Sequence, residues 1–243
     1  MNNLIVTLFL FFVQIIIFFK NDKLKNRYLN RYYLIFIIYI ISFPIINLIF
    51  FNYLRKISFF NSFFINSRHY IIFQLFIFLF SIFVIIKTEL LNKIFTKINS
   101  FLILKGIELF IITSIFNYII VFLIKYNMNS SNFIKNILIY EKNIYFKILF
   151  FMILGVFIPI LEEIVFRYLL IEGLLKKNSN ISIIIYSSLI FALIHLQINN
   201  LLIYFIYSAF YAAYYLKYRS IYPTLICHVL NNITVLFSFI IFK

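Results

Sequence analysis

The sequence predicts an all-α fold, a polytopic bundle of about eight transmembrane helices. Hydrophobic residues make up 65% of the 243 positions, whereas charged residues make up only 12%. The mean hydropathy is +1.04. Apolar runs long enough to cross a bilayer, which takes roughly 17–25 residues, recur along the whole chain. A water-soluble core of this size would not need such an apolar excess, so we expect one integral membrane domain over residues 1–243.

The predicted spans follow the apolar runs in order. We place them at about 4–19, 33–51, 70–87, 101–124, 145–172, 181–197, 200–216 and 221–242. The polar, asparagine-rich stretch 126–143 is the longest connection, and we predict that it is a loop. It separates a mostly apolar N-terminal half from a C-terminal half that holds the polar residues of interest. In the fourth span, Glu108 lies three residues from Lys105, and we expect a local ion pair there.

The charge distribution indicates a membrane protein without a nucleic-acid partner. The net charge is +15, from 22 Lys and Arg against 7 Asp and Glu. The basic residues fall almost wholly between apolar runs, where they are typical of interfacial anchors and topology signals and can contact anionic lipid. Nucleic-acid binding needs a basic face on a folded domain instead. The one cysteine, Cys227, excludes an intrachain disulfide, and we expect it to be a packing residue.

An adjacent pair of acids and one arginine lie in the fifth span. A charge at the bilayer centre costs about 2.5–3.5 kcal/mol, so three charges indicate a compensating use. Glu163 and Arg167 are four residues apart on one helix face, and we expect them to pair. Glu162 is turned about 100° away and stays available for another partner. An interhelical salt bridge without chemistry is the alternative interpretation of this segment.

Further polar residues lie in the sixth and eighth spans. Phe191 and His195 are four residues apart, so the phenyl ring can pack over the imidazole. His228 and Asn232 have the same spacing and project together, after Pro223, which suits the first turn of a helix. Alone, each has an ordinary interpretation as a core histidine or an interhelical amide. Together on separate helices, they predict a site in the core of the bundle.

These side chains are suited to the hydrolysis of an amide bond. A carboxylate and a neutral imidazole can polarise water together, with the carboxylate as general base. A second imidazole and an amide can donate hydrogen bonds to a tetrahedral oxyanion. No cofactor is needed in this interpretation. In the alternative, Glu162, His195 and His228 hold a divalent metal such as zinc, although the chain lacks a His-Glu-x-x-His motif.

Three segments of the chain resemble, in order, the motifs of the CPBP intramembrane proteases. This family groups the type II CAAX prenyl endopeptidases with bacteriocin-processing, immunity-type and lysostaphin resistance A-like bacterial proteins. The segments read P-x-x-E-E-x-x-F-R, F-x-x-x-H and H-x-x-x-N, at Pro159–Arg167, Phe191–His195 and His228–Asn232. The resemblance covers about residues 145–243.

The resemblance implies helices around a conical, membrane-embedded cavity, in a multi-pass protein of a bacterial plasma membrane. Glu162 would be the general base, and His195 would help to activate water. His228 and Asn232 would form the oxyanion site. Both a metal-dependent and a metal-free glutamate mechanism are described for the family, and the resemblance leaves that choice open.

The resemblance also concerns supporting residues and substrates. Glu163 and Arg167 would orient their helix by pairing. Tyr168 stands where many members have glycine and would narrow the cavity. The expected substrate is a membrane-associated peptide or protein, for example a lipidated C-terminus, a leader peptide or a bacteriocin-type peptide. The alternatives are a non-catalytic immunity or scaffold protein and an ion or proton carrier, which would need more polar residues in the first four spans.

Overall fold

The computed structural model describes residues 97–124, 132–175, 178–195 and 200–241, with positions 75, 79, 82, 94 and 95. These segments contain helices and no strand, which confirms the predicted all-α class for the described part of the chain. The predicted spans 4–19 and 33–51 lie outside the described residues, as does 70–87 apart from three positions. The total of eight helices therefore stays a prediction.

Six helices follow one another in the described segments. They are α1 (Ser100–Ile124), α2 (Asn132–Tyr140), α3 (Ile144–Leu174), α4 (Asn180–Ile194), α5 (Leu201–Tyr218) and α6 (Tyr222–Ile241). Helices α1, α3 and α6 are long and apolar enough to cross a membrane, and α4 is a shorter apolar helix. This chain is thus an integral membrane protein. The predicted spans from 101–124 onward overlap α1 and α3 to α6.

Helix α2 lies in the stretch 126–143 that the sequence predicts to be a loop, so that prediction is wrong for Asn132–Tyr140. Its apolar residues Ile134, Ile137 and Leu138 recur at helical spacing. Ile137 and Leu138 are buried against α3 and α6. The packing of this one apolar face stabilises the helix, although asparagines dominate the composition around it.

Helix α3 contains two wide π-helical turns, at Ile153–Phe157 and Ile164–Ile171, on either side of the α-helical segment Ile158–Glu163. The helix begins after Asn143, whose side chain accepts a hydrogen bond from the N–H of Phe146. A π turn holds more residues than an α turn and occurs frequently at functional sites. The two acids of the fifth span therefore lie between two irregular turns of one continuous helix.

Helices α1 and α6 approach each other closely at Gly106. A Cβ atom on this glycine would lie only 2.7 Å from the Cβ of Ile226 and 3.1 Å from the carbonyl oxygen of Pro223. A larger residue would push the helices apart, so glycine allows α1 to pack directly on α6. Elsewhere on α1, Lys105 and Glu108 form the expected local ion pair.

Helix α5 ends at Arg219, which adopts a left-handed conformation with φ 52° and ψ 36°. Its backbone N–H donates to the carbonyl of Tyr215 over 2.8 Å. The side chains of both residues also donate to the same oxygen of Glu172, over 3.0 Å from Arg219 and 2.9 Å from Tyr215. These bonds connect the end of α5 to the end of α3.

Candidate active site

Helices α3, α4 and α6 bring three of the predicted site residues together. Glu162 is nearly buried on α3, with 6% of its side chain exposed. One of its carboxylate oxygens lies 3.4 Å from Nε2 of His228 on α6. The other lies 4.0 Å from Nε2 of His195, which follows the last residue of α4. One carboxylate is therefore flanked by two imidazoles from different helices.

The second acid, Glu163, contacts both a cation and a histidine. Its Oε2 accepts a hydrogen bond from Nε of Arg167 over 3.2 Å, which is the contact expected from their spacing. Its Oε1 lies 2.9 Å from Nδ1 of His228. Because an ionised carboxylate only accepts hydrogen bonds, Nδ1 is the donor. Glu163 thus fixes the orientation of His228, a contact between helices that its sequence spacing does not reveal.

Arg167 is fully buried between α3, α4 and α5. Its Nη2 donates to the hydroxyl of Ser208 over 3.1 Å. The guanidinium carbon lies 5.3 Å from the ring centre of Phe191 and 5.5 Å from that of Tyr211. A guanidinium between aromatic faces is stabilised by cation–π attraction. These contacts hold Arg167 so that it neutralises the buried carboxylate of Glu163.

Two aromatic rings and one hydrogen bond hold the imidazole of His195 in place. Nδ1 lies 2.8 Å from the carbonyl oxygen of Phe191, which can only accept, so Nδ1 carries a hydrogen. In the neutral ring, Nε2 then presents its lone pair toward Glu162. The phenyl ring of Phe191 packs 4.7 Å away, as the spacing predicts. Tyr204 of α5, which the sequence pattern does not single out, stacks on the imidazole at 4.2 Å.

Asn232 lies one turn after His228 on α6 and is half-buried. Its Nδ2 donates to the carbonyl of Leu154, in the first wide turn of α3, over 3.0 Å. An amide nitrogen carries two hydrogens, so this contact uses one of them. Asn232 therefore connects the motif of α6 to the irregular part of α3.

The metal alternative would use the carboxylate of Glu162 and Nε2 of His195 and His228. Within the described segments, no group of three or more His, Cys, Asp or Glu residues is placed so that it could hold a metal ion. The bond from Nδ1 of His228 to Glu163 leaves Nε2 as the nitrogen that could bind a metal. Cys227 is a buried free thiol, as expected of a packing residue.

A comparison with protein families matches one part of the chain. Residues 144–234 match the family model described as "Type II CAAX prenyl endopeptidase Rce1-like". No curated protein and no solved structure matches the chain. The matched part begins with α3 and ends within α6, so it contains all three motifs. The family predicted from those motifs is confirmed as a match over residues 144–234, which are similar to the Rce1-like type II CAAX prenyl endopeptidases.

Proposed function

We propose that this protein is an intramembrane endopeptidase in which Glu162 activates a water molecule for attack on a peptide bond. The observation that carries the proposal is the nearly buried carboxylate of Glu162, flanked at 4.0 Å and 3.4 Å by His195 and His228. The match to a protease family supports the same class of reaction. The site lies in a single membrane domain, which we assign to a multi-pass protein of a bacterial plasma membrane.

The nucleophile would be a water molecule between Glu162 and His195. Their facing atoms are 4.0 Å apart, which is too long for a direct hydrogen bond and suits a bridging water. The water would donate one hydrogen to Oε1 of Glu162 and the other to the lone pair on Nε2 of His195. Its own lone pair would then face the substrate carbonyl. As the oxygen attacks, Glu162 takes the proton as general base.

The oxyanion of the tetrahedral intermediate would be stabilised from α6. His228 donates through Nδ1 to Glu163, so its Nε2 faces the site. When Nε2 is also protonated, the imidazolium lies between two carboxylates and can donate to the developing negative charge. The second amide hydrogen of Asn232 would be the other donor. Glu162 finally passes its proton to the leaving amine, so water supplies the hydroxyl of one product and the hydrogen of the other.

The substrate would reach the site from the side of His195. This side chain is 21% exposed, whereas those of Glu162 and His228 are 6% and 8% exposed. Tyr168 is half-buried beside the same helix core and would restrict what enters. We propose a membrane-associated peptide or protein as the substrate. A C-terminus with a prenyl group is one candidate, since the matched family is named for such substrates.

The test is a cleavage assay with the purified protein in lipid nanodiscs. The substrates are a library of unmodified peptides and a set of peptides with a prenylated C-terminal cysteine motif. Glu162→Gln and His195→Ala should each slow cleavage by about 10²-fold or more, because the general base or its water partner is lost. Glu172→Gln is the matched control, since this acid lies on α3 outside the site and bonds Arg219. It should cleave like the wild type.

Two outcomes would contradict parts of the proposal. Wild-type turnover in both Glu162→Gln and His195→Ala would refute the mechanism. Cleavage that is lost on treatment with a chelator and restored by zinc would favour the metal alternative over a metal-free glutamate. A preference for the prenylated peptides over the unmodified ones would identify the substrate class.

A further inference from the structure

A cluster of buried polar side chains lies beside the site and connects α1, α5 and α6. We call it the Asn231 cluster, and its members are Thr113, Tyr211, Cys227 and Asn231. Nδ2 of Asn231 donates to the Tyr211 hydroxyl over 2.9 Å and to Oγ1 of Thr113 over 3.2 Å. It also lies 3.4 Å from the sulfur of Cys227. None of these bonds involves a residue assigned above to the reaction.

The hydrogens of the Asn231 amide and of the Thr113 hydroxyl are all used within this cluster and its helix. The amide nitrogen of Asn231 has two hydrogens, and the two short contacts to oxygen require both. Thr113 donates its own hydrogen to the carbonyl of Phe110 over 3.0 Å, which leaves its oxygen to accept from Asn231. Thr113 and Cys227 are fully buried and Tyr211 nearly so, whereas Asn231 is half-buried. Water therefore has little access to the positions of the two acceptor oxygens on Thr113 and Tyr211.

The cluster reaches the site through the ring of Tyr211. Its centre lies 5.4 Å from the imidazole centre of His228 and 5.5 Å from the guanidinium of Arg167. The imidazole of His228 turns about its Cβ–Cγ bond, and the hydrogen bond from Nδ1 to Glu163 opposes this rotation. The rings of Tyr211 and Phe191, the latter 6.0 Å away, restrict this rotation. They thereby set the direction of Nε2.

We propose that Tyr211 is a positioning residue for His228, and that Thr113 holds Tyr211 in place through Asn231. Thr113 lies on α1, outside the residues 144–234 that match the protease family. The N-terminal part of the chain would thus contribute directly to the geometry of the site. The effect on the reaction rate rests on the proposed function, whereas the effect on the imidazole itself does not.

The imidazole can be observed without any substrate. The chain has only three histidines, His69, His195 and His228. Isotope-labelled histidine in the full-length protein in nanodiscs therefore gives three sets of ring signals in magnetic resonance spectra. His228→Gln assigns the His228 set, and the Nδ1–H bonded to Glu163 should resonate at low field because its acceptor is a buried carboxylate.

Two variants each remove one hydroxyl group from the cluster. In Thr113→Val and Tyr211→Phe, the His228 ring signals should shift or broaden while those of His195 stay unchanged. Thr113→Ser keeps the hydroxyl and should restore the wild-type signals. Thr234→Val is the matched control, since this exposed hydroxyl on α6 bonds only its own helix, at the carbonyl of Leu230. A purely structural cluster would lower the stability without changing the His228 signals.

The same variants make a prediction for cleavage of the peptides described above. Thr113→Val should lower kcat about tenfold with KM unchanged, because a shift of a catalytic group by about 1 Å can cost up to 10²-fold. The double variant with Tyr211→Phe should lose no more than the larger single effect, because both act through one chain of contacts. Unchanged His228 signals in both single variants would overturn the inference at any cleavage rate. Altered His228 signals in a protein that cleaves no peptide would support the positioning role and refute the proposed function.

Discussion

The buried ion pair between Arg167 and Glu163 should contribute strongly to stability, and Arg167→Met tests this. Methionine fills a similar volume without the charge. Both side chains of the pair have 0% exposure, so the substitution leaves the buried carboxylate of Glu163 without its guanidinium partner. Removing one partner of a buried pair typically costs about 3–5 kcal/mol. The two cation–π contacts of the guanidinium are lost as well, at about 0.5–2 kcal/mol each.

The double variant Glu163→Gln with Arg167→Met separates the pair from the rest of the packing. Replacing both charges avoids an uncompensated charge, and such replacements are often neutral for stability. We therefore expect the double variant to recover at least about 2 kcal/mol relative to Arg167→Met. The proposed cleavage should be slow in the double variant, because Nδ1 of His228 then has no carboxylate to bond. The free energy of unfolding is measured by titration with a denaturing detergent in mixed micelles, followed by circular dichroism.

Arg219→Met is the matched control for this experiment. Arg219 pairs with Glu172 at a similar distance, 3.0 Å, but the two side chains are 53% and 44% exposed. An exposed ion pair is worth about 0–1 kcal/mol, so the control should lose no more than that. A loss below 1 kcal/mol in Arg167→Met would refute the reasoning, as would a double variant whose destabilisation equals the sum of the two single ones.

Four further substitutions test the close packing and the backbone conformation of the helices. Gly106→Ala should destabilise the protein by about 1–3 kcal/mol, because the new Cβ meets the rigid Cβ of Ile226 at 2.7 Å. Gly155→Ala should cost less stability, because the nearest neighbour of its new Cβ is a side-chain carbon at 3.3 Å. Equal losses of stability in the two variants would contradict this. Arg219→Gly should be more stable than Arg219→Ala by about 1 kcal/mol, because both lose the ion pair but only glycine adopts the positive φ without strain. A more stable alanine variant would show that the backbone at position 219 leaves the left-handed conformation. The same unfolding titration measures all four variants.

Much of the architecture follows from simple features of the sequence. Apolar runs predict α1 and α3 to α6, because a helix that faces lipid is apolar around most of its surface and long enough to span the bilayer. The spacing of Glu163 and Arg167 predicts their contact because residues four apart share a helix face. The same argument predicts that Phe191 packs on His195.

The contacts between helices are not predictable from such spacing. The bond from His228 to Glu163 and the stacking of Tyr204 on His195 depend on how each helix is rotated about its axis. In uniformly apolar helices no amphipathic pattern fixes that rotation. The two wide turns of α3 add a second reason, since they change the rotation locally. Pro159 follows the first turn closely, but no proline lies within or next to the second turn, Ile164–Ile171. The sequence pattern does not reveal helix α2, because its apolar face is only about two turns long.

The direction in which Glu162 projects from α3 depends on the one extra residue held by the wide turn at Ile153–Phe157. A π turn accommodates one more residue than an α turn, so a deletion of one residue there would let the backbone close into regular α geometry. The residues of α3 after this turn, including Glu162, would then be rotated by about 100° around the helix axis. The carboxylate would then leave its two imidazoles. The carbonyl of Leu154 would still find no partner within its own helix, because the residue four positions on would then be Pro159, which has no N–H. The number of residues in this turn is thus as important for the site as the presence of Glu162 itself.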